Sequence, residues 1–340
     1  MIANPYLLYL GHTTDALSIK TSRGLAVFRR EACVGEFRHD DCPLTLDLPR
    51  MSFEEAVAAG AKTLVLGIAQ AGGAMGDDVV RDAISAVEAG LDVASGLHHR
   101  LRDEPALAQA AARCGRTLHD VRDPRPDIPV GNGKPRAGRR LLTVGTDCSV
   151  GKMYATLCLE RGMRARGMKA DFRATGQTGI LIAGSGVPLD AVIADFISGA
   201  IEQLSPDRDD DGWDLIEGQG SLFHPSFAGV STGLLHGAQP DALLLCHDPA
   251  RLHMRGLPHF AMPGLQETLD ANIAVARLTS PAVRAVGIAL NTSGMERDAA
   301  TRLCAETADA LGLPCTDPFA MGVDPIIDRI EECFDLPAEA

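Results

Sequence analysis

Positive charge is scarce in this chain: 32 Lys and Arg face 45 Asp and Glu, for a formal net charge of −13. Nucleic acid and anionic membrane surfaces are therefore poor partners, since both bind through a surplus of Lys and Arg. An anionic ligand would need a locally basic pocket. Long apolar runs are missing as well, and no stretch approaches the roughly 20 residues of a membrane-spanning helix. The opening residues Met1-Ile-Ala-Asn-Pro5 lack the basic stretch and apolar core of an export signal. Nine cysteines, an odd number without a Cys-x-x-Cys pair, fit reduced thiols and a cytoplasmic location. No metal is expected: His247, His253 and His259 recur every six residues, which puts no two on one helical face. Adjacent His98 and His99 would point in different directions on any regular element.

What is present is an ordinary globular composition, 46% hydrophobic and 23% charged. A chain of 340 residues exceeds one comfortable core, so two domains are expected. From Asp123 to Gly138, four prolines and three glycines fall within sixteen residues, which neither a helix nor a central strand tolerates. This gives a domain over residues 1–125, a Pro/Gly-rich linker over 126–138 and a second domain over 139–340. The cluster from Asp207 to Asp211 reads as a solvated loop.

In the first half, Leu7 to Gly11 and Thr63 to Gly67 are short apolar runs ending in glycine, as buried parallel strands do. Ser52-Phe-Glu-Glu55 is a capping box opening a helix, and residues 77–89 carry Val80, Ile84 and Val87 on one stripe. That alternation predicts a Rossmann-like α/β domain. In the second half, strands are expected near 140–144, 169–173, 213–217, 241–246, 284–290 and 313–316. Helices are expected near 153–166, 189–204, 264–278 and 296–311. Such alternation predicts a doubly wound, mostly parallel sheet, with ligands at the carboxyl ends of its strands.

The sharpest motif in that half is Gly145, Thr146, Asp147, Cys148, Ser149, Val150, Gly151, Lys152 and Met153, between an apolar strand and a helix. Backbone N–H groups of such a turn and of the helix's first turn converge on an anion, and Lys152 adds a positive charge. The segment reads as a P-loop-like cofactor-binding turn, similar to the phosphate loop of dethiobiotin synthetases. A nucleotide-hydrolysing loop has Ser or Thr after its lysine to hold Mg²⁺. Here the position is Met153, whose thioether has little affinity for a hard cation. A phosphorylated ligand is expected, without metal.

Other strand ends offer polar residues. Glu217 is the candidate general base, or else a structural carboxylate accepting N–H bonds from Gly218 to Gly220. His224, seven residues on, is a second catalytic candidate, or else a packing histidine. Arg173, Arg251 and Arg255 are candidate carboxylate anchors, with Arg173 favoured by its strand-end position. Gln177, Thr178, Gln219, Ser221 and Asn291 complete the candidate substrate contacts. The glycine-rich turn from Gly67 to Gly76 could approach a second ligand, but its spacing does not fit a dinucleotide fingerprint.

With these residues named, the chain resembles a bacterial family of two-domain proteins with a P-loop-like C-terminal half, long known only as a domain of unknown function. The resemblance runs nearly end to end. It rests on the turn at 67–73, Ser95-Gly-Leu-His-His99, Asp120-Val-Arg122, the loop at 145–152, Thr175-Gly-Gln-Thr-Gly179 and Glu217-Gly-Gln-Gly-Ser221. It implies the activity of the family's D-glutamate N-acetyltransferase, which moves the acetyl group of acetyl-CoA to the amino group of D-glutamate. The expected partner is thus a small-molecule substrate, handled by a homo-oligomer. A ligase or kinase resembling dethiobiotin synthetase, using ATP and Mg²⁺, is the alternative.

Overall fold

The computed structural model describes residues 2–16, 18–68, 75–124 and 127–334 and divides into two compact units. The first unit is Met1–Pro124 together with Gly176–Ala191; the second is Arg125–Thr175 together with Val192–Ala340. The first is therefore built from two separate stretches of chain, and residues 176–191 lie outside the single span 1–125. The turn expected near Gly67 to Gly76 falls partly outside the described residues.

In the first unit the chain runs β1 (Tyr6–Gly11), α1 (Lys20–Phe28), β2 (Cys33–Arg38), α2 (Phe53–Ala58), β3 (Thr63–Leu66), α3 (Asp77–Ala89), β4 (Asp92–Ser95), α4 (Pro105–Cys114) and β5 (Leu118–Asp120). Its five strands pair in parallel in the order β2-β1-β3-β4-β5, a Rossmann-like sheet. β1 and β3 are buried throughout, in keeping with their largely apolar residues. The capping box forms as its spacing requires: the Ser52 hydroxyl accepts from Glu55 N–H, and the Glu55 carboxylate accepts from Ser52 N–H.

Beyond the linker come β6 (Arg139–Gly145), α5 (Lys152–Ala165) and β7 (Ala170–Arg173), then α6 (Gln177–Ala183), which belongs to the first unit. The second unit resumes with α7 (Ile197–Leu204), β8 (Trp213–Ile216), α8 (Ala228–Ala238), β9 (Ala242–His247), β10 (His253–Met254), β11 (Leu257–Ala261), α9 (Leu265–Ala276), β12 (Arg284–Leu290), α10 (Arg297–Leu311), β13 (Cys315–Thr316) and α11 (Asp324–Phe334). Six strands form a parallel sheet in the order β13-β12-β9-β6-β8-β7; β10 and β11 make a separate antiparallel ribbon. β6 lies between β8 and β9, so its carboxyl end opens at the middle of the sheet, where strand order reverses and ligands bind. Among the described residues, no helix is long and apolar enough to cross a membrane.

One expectation is revised, and two gain detail. The helix expected over 189–204 breaks into 3-10 turns at Leu189–Ala191 and Ala194–Phe196 before α7, because the intervening Ile193 is extended (φ −60°, ψ 138°). The described part of the linker is strapped down. The Arg136 guanidinium donates to carbonyls of Glu202, Ser205, Gly237 and Ala238, and the Glu202 carboxylate accepts from Asn132 and Gly133 N–H. The acidic loop is an ion-pair knot: Arg208 joins Asp171, Asp210 and the fully buried Asp214.

Candidate active site

The turn after β6 has the backbone that an anion cradle needs. Ser149 (φ 55°) and Gly151 (φ 101°) both take left-handed conformations, which curl the loop onto the first turn of α5. The N–H groups of that first turn have no intrahelical acceptor by construction, so they remain for a ligand. Lys152 does not range freely. Its ammonium is buried and donates to the carbonyls of Asp147 (2.7 Å) and Gly220 (2.9 Å), and burial lowers its pKa from the usual lysine value. Met153 follows at the helix start, so no hydroxyl stands at that position.

Asp147 is fully buried and faces protein donors. Its carboxylate accepts from Cys148 N–H (2.6 Å), Arg255 N–H (2.8 Å) and the Arg251 guanidinium (3.2 Å). The same Arg251 donates to the carbonyls of Cys148 and Ser149, and the Arg255 guanidinium donates to the Ser149 hydroxyl. The segment leading into the β10–β11 ribbon thus braces the outside of the loop. Both arginines are engaged as loop supports, a duty that spacing alone did not suggest. Thr146 completes the brace through its hydroxyl, 2.9 Å from His247 Nδ1.

β8 delivers Glu217 to the neighbouring edge. The side chain is buried, and its Oε2 accepts from Thr175 N–H at 2.9 Å, while the Thr175 hydroxyl donates to the Glu217 carbonyl at 2.6 Å. Gly218 must be glycine: a Cβ there would lie 1.7 Å from the Thr143 carbonyl oxygen. Its N–H donates to the Thr143 hydroxyl, which pins the strand end against β6. Gln219 donates to the Thr175 hydroxyl, and the buried Ser221 hydroxyl donates to the Thr146 carbonyl. Asn291 adjoins Gly151, where an added Cβ would stand 3.7 Å from its own.

His224 is 4% exposed, and its Nδ1 accepts from Ser226 N–H at 3.1 Å. An acceptor at Nδ1 places the hydrogen of the neutral ring on Nε2, so that edge is a donor. Among the described residues Nε2 makes no hydrogen bond. A His224 ring nitrogen, the Cys148 sulfur and an Asp147 carboxylate oxygen lie within 4.8 Å of one another. Sequence spacing could not reveal this trio, because it depends on the fold of the turn from Ser221 to Ser226. Its ligand types suit a soft metal ion, but the Asp147 oxygens already hold three N–H donors, one of them from the Arg251 guanidinium.

The remaining candidates have protein partners of their own. Arg173 is paired with the fully buried Asp214 (2.8 Å) and hydrogen-bonded to it at 2.9 Å. Gln177 and Thr178 belong to the first unit. There the Gln177 amide lies between the Gly96 carbonyl and the Arg122 guanidinium, and the Thr178 hydroxyl lies 2.8 Å from that of Thr21.

Comparison with known proteins agrees with this architecture. A Rossmann-like domain of unknown function, DUF1611_N, matches residues 34–124, and a P-loop domain of unknown function, DUF1611_C, matches residues 129–327. The chain is 51% identical over 330 residues to a protein of Tritonibacter scottomollicae and 50% identical over 329 residues to one of a Pseudoalteromonas species. Both are named D-glutamate N-acetyltransferase, and each alignment covers 97% of this chain and 99% of the relative. The crystal structure of a DUF1611 family protein from Anabaena variabilis matches with a TM-score of 0.87 at 34% identity, over 97% of this chain and 100% of that one.

Proposed function

Because the chain belongs to the DUF1611 family, we propose that it is an N-acetyltransferase moving the acetyl group of acetyl-CoA to the amino group of D-glutamate. Likeness to the two named relatives supports the substrate pair. One observation carries the choice of acyl transfer over nucleotide-driven chemistry: an anion cradle with Met153 where Mg²⁺ would need a hydroxyl. Asp147 strengthens it, since its carboxylate is turned to Arg251 and Arg255 N–H.

The reaction needs an acceptor for the amine proton and donors for the oxyanion that develops on the thioester. Glu217 fits the first role. His224, with its hydrogen on Nε2, fits the second, alongside the loop N–H groups; one good donor contributes about 3–4 kcal/mol. Two anions suit the cradle: a CoA phosphate, or that oxyanion. An extended pantetheine arm separates the two by on the order of 15 Å. Lys152 bonds the carbonyls of Asp147 and Gly220, which neighbour Cys148 and the Glu217 strand end, and His224 adjoins Cys148; these contacts support a single site. The oxyanion is the occupant that lets Glu217 and His224 act beside the loop.

The test is an incubation of the protein with D-glutamate and acetyl-CoA, without nucleotide. Equal amounts of free CoA thiol and N-acetylated amine are expected, with Glu217→Gln slowed roughly 10²–10⁴-fold. Turnover only with ATP, releasing ADP, would replace this reading by the ligase or kinase. Equal rates with L-glutamate would remove the D-specific part.

A further inference from the structure

We propose that Cys148 is the acyl acceptor of a two-step transfer, forming an acetyl-thioester on the enzyme before the amine is acetylated. This rests on the N-acetyltransferase reading and adds a covalent intermediate to it. Cys148 is the half-buried member of the trio with buried Asp147 and His224, and its sulfur is within 4.8 Å of both partners' polar atoms. The donor edge of His224 is the second element. Nδ1 is taken by Ser226 N–H, so Nε2 is the ring nitrogen left to meet a ligand. Around the sulfur stand Lys152, Arg251 and Arg255, with the Asp147 carboxylate opposing them, and the positive end of α5 begins four residues on. These cations and the N–H groups of the helix start are the groups that would meet the negative charge of a tetrahedral intermediate.

Burial pushes the Cys148 thiol above its ordinary range, and Lys152, Arg255 and Arg251 oppose it without reversing it. The resting group is therefore a thiol, and its proton must leave as the sulfur attacks, because the thiolate is the nucleophile. In the first step the Cys148 sulfur bonds to the acetyl carbonyl carbon and the carbon–sulfur bond to CoA breaks. The Cys148 proton passes to the departing CoA sulfur, so a thiol and a thioester exchange places with no oxidant or reductant. In the second step the amine nitrogen bonds to the same carbon and gives a proton to Glu217. The carbon–sulfur bond to Cys148 breaks, and that sulfur recovers the proton from Glu217. Covalent transfer also lets CoA leave before the amino acid enters.

The experiment follows the first half-reaction alone. Wild-type protein with acetyl-CoA and no amine should gain one acetyl group at Cys148, released by hydroxylamine and located by peptide mass spectrometry. It should also exchange labelled CoA into acetyl-CoA. Cys148→Ala should lose the adduct and the exchange and fall on the order of 10³-fold in kcat. Cys148→Ser, nearly the same size, controls for folding and should lose exchange while keeping the wild-type melting temperature. Turnover by Cys148→Ala within a few-fold of wild type, or transfer by wild type with no adduct and no exchange, overturns the proposal while leaving the acetyltransferase reading intact. An adduct at Cys148 with no transfer to D-glutamate upholds the intermediate and sinks the substrate; neither adduct nor transfer sinks both.

Discussion

Thr143 shows how much a single residue can organise. Its hydroxyl lies 3.0 Å from that of Thr156 on α5 and accepts from Gly218 N–H, while its carbonyl leaves no space for a Cβ at position 218. Strand, helix and the end of β8 are thus indexed to one another beside Glu217. Gly218→Ala should therefore be far more damaging than a methyl group suggests. We expect either failure to fold or displacement of Glu217 with at least about a 100-fold loss of turnover, read by circular dichroism melting and a CoA-release assay. At this scale the sequence was partly readable. Glu217 announced itself because it ends an apolar strand, and Lys152 because it follows a glycine-bearing turn. The approach of Cys148 to His224 was hidden, since the two are far apart in the chain and meet through a turn with no regular spacing.

Elements were easier to read than their duties. Buried parallel strands spell continuous apolar runs, so β6, β9 and β12 stood out, whereas the half-buried, polar β2 and the exposed β11 carried no such signal. Polar residues were harder still: Arg173, Arg251 and Arg255 suggested ligand anchors, but each is bonded to protein. Arg136 makes the same point in the linker. Burial lowers its guanidinium to about 10, still charged at neutral pH, and it joins the linker to α7 and to the end of α8. Arg136→Met would leave those carbonyls without their donor. We expect a loss of about 2–4 kcal/mol, read as a lowered denaturation midpoint in urea, with the acetyl-transfer rate of the folded fraction unchanged.

For the whole molecule, acidity sets a limit on stability that follows from the Arg208 knot. The hydrogen bond from Arg208 holds Asp210 down to about 2, against about 3.9 for an unfolded aspartate. A depressed carboxylate contributes stability above its unfolded value, and that contribution disappears as pH falls through the folded one. Melting temperature should therefore decline between about pH 4 and pH 2. Arg208→Gln should flatten that decline, as scanning calorimetry across the range would register; an unchanged slope would show that other carboxylates control it. The overall plan was legible, two α/β halves divided near the proline-rich stretch, because composition shifts sharply there. The return of residues 176–191 to the first unit was not, since a helix carries no mark of the sheet it joins.

That return has a practical outcome. Thr178 meets Thr21, Asp190 meets Arg122, and the Ile2 N–H donates to the Gly184 carbonyl, so the first lobe is closed by residues translated after the turn at 145–152. During synthesis it must wait, incomplete, until a portion of the second lobe has already emerged. No single break in the gene yields two self-sufficient halves, and any shuffling of this lobe onto another protein would have to carry both pieces.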